Sequence, residues 1–119
     1  MSCISSGQPT GEIVGWVGTY DQLIYPQGSI DYYERVRQTV SGSDEFSRLY
    51  MVPGMAHCGG GEGPNVFDML TVLEQWREHD RAPAEVLASR VENGTVVRTR
   101  PLCPHPQVPR YKGTGSIDR

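Results

Sequence analysis

No apolar run in this sequence approaches the ~20 residues needed to cross a bilayer, so no helical membrane span is expected. A basic cluster is also missing. Eleven lysines and arginines are scattered among fourteen aspartates and glutamates, for a net charge of −3 at pH 7. That removes the electrostatic footprint of a nucleic-acid binder. The stretch Met1-Ser2-Cys3-Ile4-Ser5-Ser6-Gly7 has neither the charged start nor the apolar core of a signal peptide, which leaves localisation open. Cysteine is scarce and odd in number: Cys3, Cys58 and Cys103 cannot all pair within one copy. They form no disulfide framework by themselves, and one reading places their partners in sequence this chain lacks.

The 119 residues suffice for one small domain and not two. Fourteen glycines and nine prolines mark a loop-rich chain, while the apolar content is that of an ordinary folded protein. Residues 1–11 read as a loose lead-in. The continuous apolar run Ile13-Val14-Gly15-Trp16-Val17 suits a strand buried on both faces, as in a parallel sheet. Asp21 lies in the loop after it. Pro26-Gln27-Gly28-Ser29 opens a helix whose Ile30, Tyr33, Val36 and Val40 share one face, and Ser41-Gly42-Ser43 stops it.

Ser47 to Val52 reads as a second buried strand, closed by Pro53 and followed by the glycine-rich segment Met55-Ala56-His57-Cys58-Gly59-Gly60-Gly61. Asn65 is the expected N-cap of a helix from Val66 to about His79, with Val66, Met69, Leu70, Leu73 and Trp76 as its core side. Val86 to Val91 and Thr95 to Arg100 flank Asn93-Gly94, a signal for a type I′ hairpin turn. That turn also accounts for the sequon-like Asn93-Gly94-Thr95. The remainder to Arg119 reads as an irregular, proline-bearing tail.

Strand, helix, strand, helix, hairpin is the order of an α/β protein with parallel strands joined by helical crossovers. Two such strands alone make a marginal sheet and need neighbours on both sides. This predicts an incomplete domain or one completed by another chain.

The chemistry concentrates on two loops. Asp21 follows the first strand and His57 the second, and in a parallel sheet both loops open on the same edge. Histidine suits proton transfer near neutral pH. An aspartate that orients a histidine, with the histidine as general base for a hydroxyl, is the logic of serine hydrolases. In α/β-hydrolases the chain order is serine, acid, histidine, and this sequence supplies the last two in that order.

Four blocks carry a closer resemblance: Gly18-Thr19-Tyr20-Asp21-Gln22-Leu23-Ile24, Pro26 to Tyr33, Val52 to Gly61, and Arg100-Pro101-Leu102-Cys103-Pro104. From about Glu12 to Tyr111 the chain resembles the C-terminal part of the tannase and feruloyl esterase family. The resemblance implies a C-terminal fragment of an α/β-hydrolase fold, divided into the lead-in (1–11), a partial hydrolase domain (12–100) and a Pro-rich extension (101–119). It implies hydrolysis of phenolic-acid esters through an acyl-enzyme, with no cofactor and no metal, by a secreted or periplasmic protein. Asp21 would be the triad acid and His57 the base. Cys58 would bridge to a cysteine beside the nucleophilic serine, and Cys103 would pair near the family's C-terminus. Family members are several times longer, and their nucleophile elbow, oxyanion hole and lid lie upstream of the matched part.

Within this sequence the nucleophile is unassigned. Cys3-Ile4-Ser5-Ser6-Gly7 faintly matches an elbow, which makes Ser5 and Ser6 the candidates, but no strand precedes them as an elbow requires. His57, Cys58, Cys103 and His105 have the composition of a zinc site without its spacing. No Gly-Lys-Ser/Thr follows Gly59 to Gly63, so a phosphate loop is ruled out. The expected partners are a small phenolic-acid ester and further copies of the chain, joined through exposed sheet edges; nucleic acid and membrane are not expected. The alternative to an esterase is a non-catalytic binding or self-assembling module that keeps the family's fold elements.

Overall fold

The computed structural model describes residues 11–57 and 59–117. Strand β1 (Ile13–Gly18) pairs in parallel with β2 (Ser47–Val52), in a register running from Ile13 opposite Ser47 to Gly18 opposite Val52. Helix α1 (Pro26–Thr39) makes the crossover, with Pro26 in its first turn, where a preset φ and a missing N–H cost nothing. Val40 turns extended, Gly42 takes φ 74°, and a single 3₁₀ turn at Ser43–Glu45 leads into β2. The sequence thus forms the expected βαβ unit.

β2 is the strand around which both cores assemble. Side chains alternate along a strand, so Leu49 and Met51 face α1 with Val17, Ile30 and Tyr33. Tyr50 and Val52 point the other way, into a cluster with Met55, Met69, Val86, Ala88 and Leu102. β1 departs from the expectation of burial on both faces. Ile13 is exposed and Trp16 is 46% exposed. The cause is geometric: among the described residues β1 has β2 as its one strand neighbour, so its far edge carries no covering layer.

The second helix, α2 (Met69–His79), starts later than the sequence pattern predicts. Asp68, not Asn65, is its N-cap, and its carboxylate accepts the Thr71 N–H at 3.0 Å and the Thr71 hydroxyl at 2.7 Å. Asn65 and Val66 instead send their N–H groups to the Ser89 carbonyl, at 3.1 and 2.9 Å, and Ser89 N–H returns to the Val66 carbonyl at 2.8 Å. Backbone committed to that bridge cannot enter the helix. Met69 and Trp76, seven residues apart and so on one face, are buried, while Leu70, expected in the core, lies about 100° round the helix from Met69 and is 67% exposed.

β3 (Val86–Glu92) and β4 (Thr95–Leu102) form the antiparallel hairpin. Its turn residues Asn93 and Gly94 sit at φ 49° and 77°, both left-handed as a type I′ turn requires. β4 continues two residues past the expected end. Beyond it the chain crosses the edge of β2 opposite β1: Tyr50 bridges Pro104, and His105 N–H donates to the Leu49 carbonyl at 2.7 Å.

Candidate active site

The βαβ unit brings the loop after β1 against the loop after β2, and backbone hydrogen bonds join the two. Thr19 N–H donates to the Val52 carbonyl and Tyr20 N–H to the Met55 carbonyl, both at 3.0 Å. The Thr19 hydroxyl accepts Gly54 N–H at 2.9 Å, and the Gln22 side-chain oxygen accepts His57 N–H at 3.4 Å. Gly18 permits this closeness, because a Cβ there would collide with the Met55 carbonyl. The second loop closes on itself. Met55 bridges Gly61, and Ala56 N–H reaches the Gly60 carbonyl at 3.3 Å, which leaves His57 near the apex.

Across these loops His57 Nδ1 meets Asp21 Oδ2 at 2.9 Å and Oδ1 at 3.1 Å. The Asp21 side chain is 5% exposed and that of His57 35%. Asp21 also closes its own turn, its Oδ1 accepting Leu23 N–H at 2.8 Å and Ile24 N–H at 2.7 Å. Burial pushes its pKa up, but the hydrogen bonds from Ile24, His57 and Leu23 outweigh that and hold the carboxyl below its ordinary 3.8. An ionised carboxylate can only accept, so the shared proton sits on Nδ1, the ring nitrogen that faces Asp21. Among the described residues nothing hydrogen-bonds the ring's Nε2. The pair has the geometry of a histidine ring oriented by a carboxylate.

The other sequence candidates lie apart from this pair. Cys103 is a free, half-buried thiol whose pKa is raised by burial and by the nearby Glu85 carboxylate. His105 does not join His57; its Nε2 pairs with Glu34 of α1 at 2.9 Å. No group of three metal-ligating side chains occurs among the described residues. Ser5, Ser6 and Cys58 lie outside the described residues. An apolar trough of about 580 Å³, lined by Trp16, Leu23, Ile24, Tyr25 and Tyr32 among others, is not lined by His57 or Asp21. Thr19 and Gln22 lie in the motif around Asp21, but the sequence reading gave them no role in joining the two loops.

The βαβ unit thus sets an aspartate–histidine couple beyond the carboxyl ends of its two parallel strands. The chain belongs to the tannase and feruloyl esterase family, whose sequence model matches residues 5–119. It is 43% identical over 111 residues to a mono(2-hydroxyethyl) terephthalate hydrolase of Piscinibacter sakaiensis, covering 91% of this chain and 18% of that protein. It is 40% identical over 109 residues to a probable feruloyl esterase of Arthroderma benhamiae, covering 86% of this chain and 20% of that protein. The crystal structure of feruloyl esterase B from Aspergillus oryzae superposes with a TM-score of 0.84 at 30% identity, over 92% of this chain and 25% of that one. The chain thus spans about a fifth of the length of the first two relatives.

Proposed function

We propose that these residues supply the acid–base half of a carboxylic-ester hydrolase site within an α/β-hydrolase domain. His57 is the general base, and Asp21 holds its ring in the Nδ1–H tautomer and stabilises the imidazolium that forms. The observation that carries this reading is the 2.9 Å contact between His57 Nδ1 and a nearly buried, ionised Asp21. In the reaction Nε2 takes the proton of a serine hydroxyl as the oxygen attacks the ester carbonyl. It then gives that proton to the departing alcohol, and water reverses the sequence on the acyl-enzyme. Among the described residues no serine is hydrogen-bonded to His57. Phenolic-acid esters are the proposed substrates, a choice supported by the names of the family and its relatives.

A serine-directed fluorophosphonate tests this reading. Incubated with the full protein, it is expected to modify one serine, and His57→Ala is expected to abolish that modification. Equal labelling in both forms, or none in either, would remove the hydrolase reading. A second reading, an assembly module, draws on the exposed Ile13 and Trp16 along the open edge of β1.

A further inference from the structure

The loop carrying His57 is fastened along both limbs. Its ascending limb is tied to the Asp21 loop through Thr19, Tyr20 and Gln22. Its descending limb runs along the hairpin, where Ser89 bridges Val66 and the Arg90 guanidinium donates to the Gly61 carbonyl at 3.0 Å. We propose that Arg90 is a positioning residue for His57, acting through that carbonyl. The proposal rests on the reading of His57 as general base.

Three observations converge on Arg90. Gly61 is the closing residue of the loop: it bridges Met55, one step before the Ala56–Gly60 hydrogen bond that sets the apex. It sits at φ 82° against the Gly54 carbonyl with no room for a Cβ, so a donor fixed on its oxygen fixes the peptide plane at the loop's base. The guanidinium is itself aimed, because its Nε donates to Glu92 at 2.7 Å while a terminal nitrogen reaches Gly61. A planar fork can hold both partners at once, which a lysine ammonium does less well. Finally, Arg90 stands opposite Arg98 in the ladder, with the register slipping directly after it. The ladder thus sets no opposite charge across from Arg90, whose guanidinium donates to Glu92 and the Gly61 carbonyl.

The test follows the imidazole signals of His57, His79 and His105 by NMR through a pH titration of the full protein. Exchange of the Ala56 amide is followed alongside. Asp21→Asn sets the reference displacement of the His57 titration. Arg90→Ala is expected to move the His57 titration in the same direction, to leave His79 and His105 in place, and to speed Ala56 exchange roughly fivefold, the size of one lost hydrogen bond. Arg90→Lys is expected to fall between Arg90→Ala and wild type. If Arg90→Ala leaves both readouts at wild-type values while Asp21→Asn moves His57, the proposal for Arg90 fails and the base reading stands. If Asp21→Asn itself leaves His57 unmoved, both fall. Should Arg90→Ala not fold, Glu92→Ala, which releases the fork, is expected to give a smaller displacement in the same direction; none would overturn the proposal.

Discussion

The Gly18 backbone lies flat against the Met55 carbonyl, with no space between them for a methyl group. That contact sets the spacing of the two loops and thereby the 2.9 Å separation of His57 and Asp21. Gly18 takes an ordinary negative φ, so the requirement for glycine here is one of room and not of backbone conformation. Gly18→Ala is expected to cost about 1–3 kcal/mol, the range for forcing extra volume into a packed contact. Chemical denaturation measures that loss, and the Asp21–His57 hydrogen-bonded proton should weaken in the same variant. Wild-type stability together with an intact proton would show that the loops do not depend on this contact.

Asp21 gives the protein a defined acid limb. Its folded-state pKa lies below its ordinary 3.8 because Ile24, His57 and Leu23 donate to its ionised form. A group with a depressed folded pKa contributes stability that is fully present above the unfolded value and is lost as pH falls through the folded one. Asp68, lowered by the Thr71 hydrogen bonds, acts in the same direction. Stability is therefore expected to fall as pH drops below about 4, with Asp21→Asn flattening that fall. Denaturation curves from pH 6 down to about 2 check this; an Asp21→Asn profile parallel to wild type would contradict it.

The open edge of β1 carries no charge and no proline along Ile13–Gly18, and such edges invite pairing with another strand. Concentration-dependent self-association is expected, with Trp16 at the contact. Trp16→Lys should shift the population toward monomer in light scattering. Trp76, 2% exposed in the core, gives a fluorescence signal that should not respond to dilution. A wild-type monomer at high concentration would contradict the prediction.

Local pattern made much of the fold legible. The apolar runs Ile13 to Val17 and Leu49 to Val52 pointed to β1 and β2, the spacing of Ile30, Tyr33 and Val36 to α1, and Asn93-Gly94 to the hairpin turn with its two left-handed residues. The meeting of Asp21 and His57 was legible as well, because loops at the same ends of parallel strands share an edge. What escaped were contacts made at a distance along the chain. Val66 fits the helical period of α2 as well as it fits a bridge to Ser89, and the partner's position decides between them. Leu70 lies on the solvent side because it is about 100° round the helix from the buried Met69, at the margin of the apolar stripe. The Arg90–Gly61 and His105–Glu34 contacts join side chains to groups with no periodicity of their own.

The central claim is that His57, oriented by Asp21, is the base of an ester-hydrolysing site. Steady-state hydrolysis of a phenolic-acid ester by the full protein, wild type against His57→Ala, tests it most directly. The account predicts a fall in kcat of roughly 10⁴-fold or more with KM little changed, since the histidine acts on the reacting atoms and not on substrate binding. Equal rates in the two proteins would contradict it.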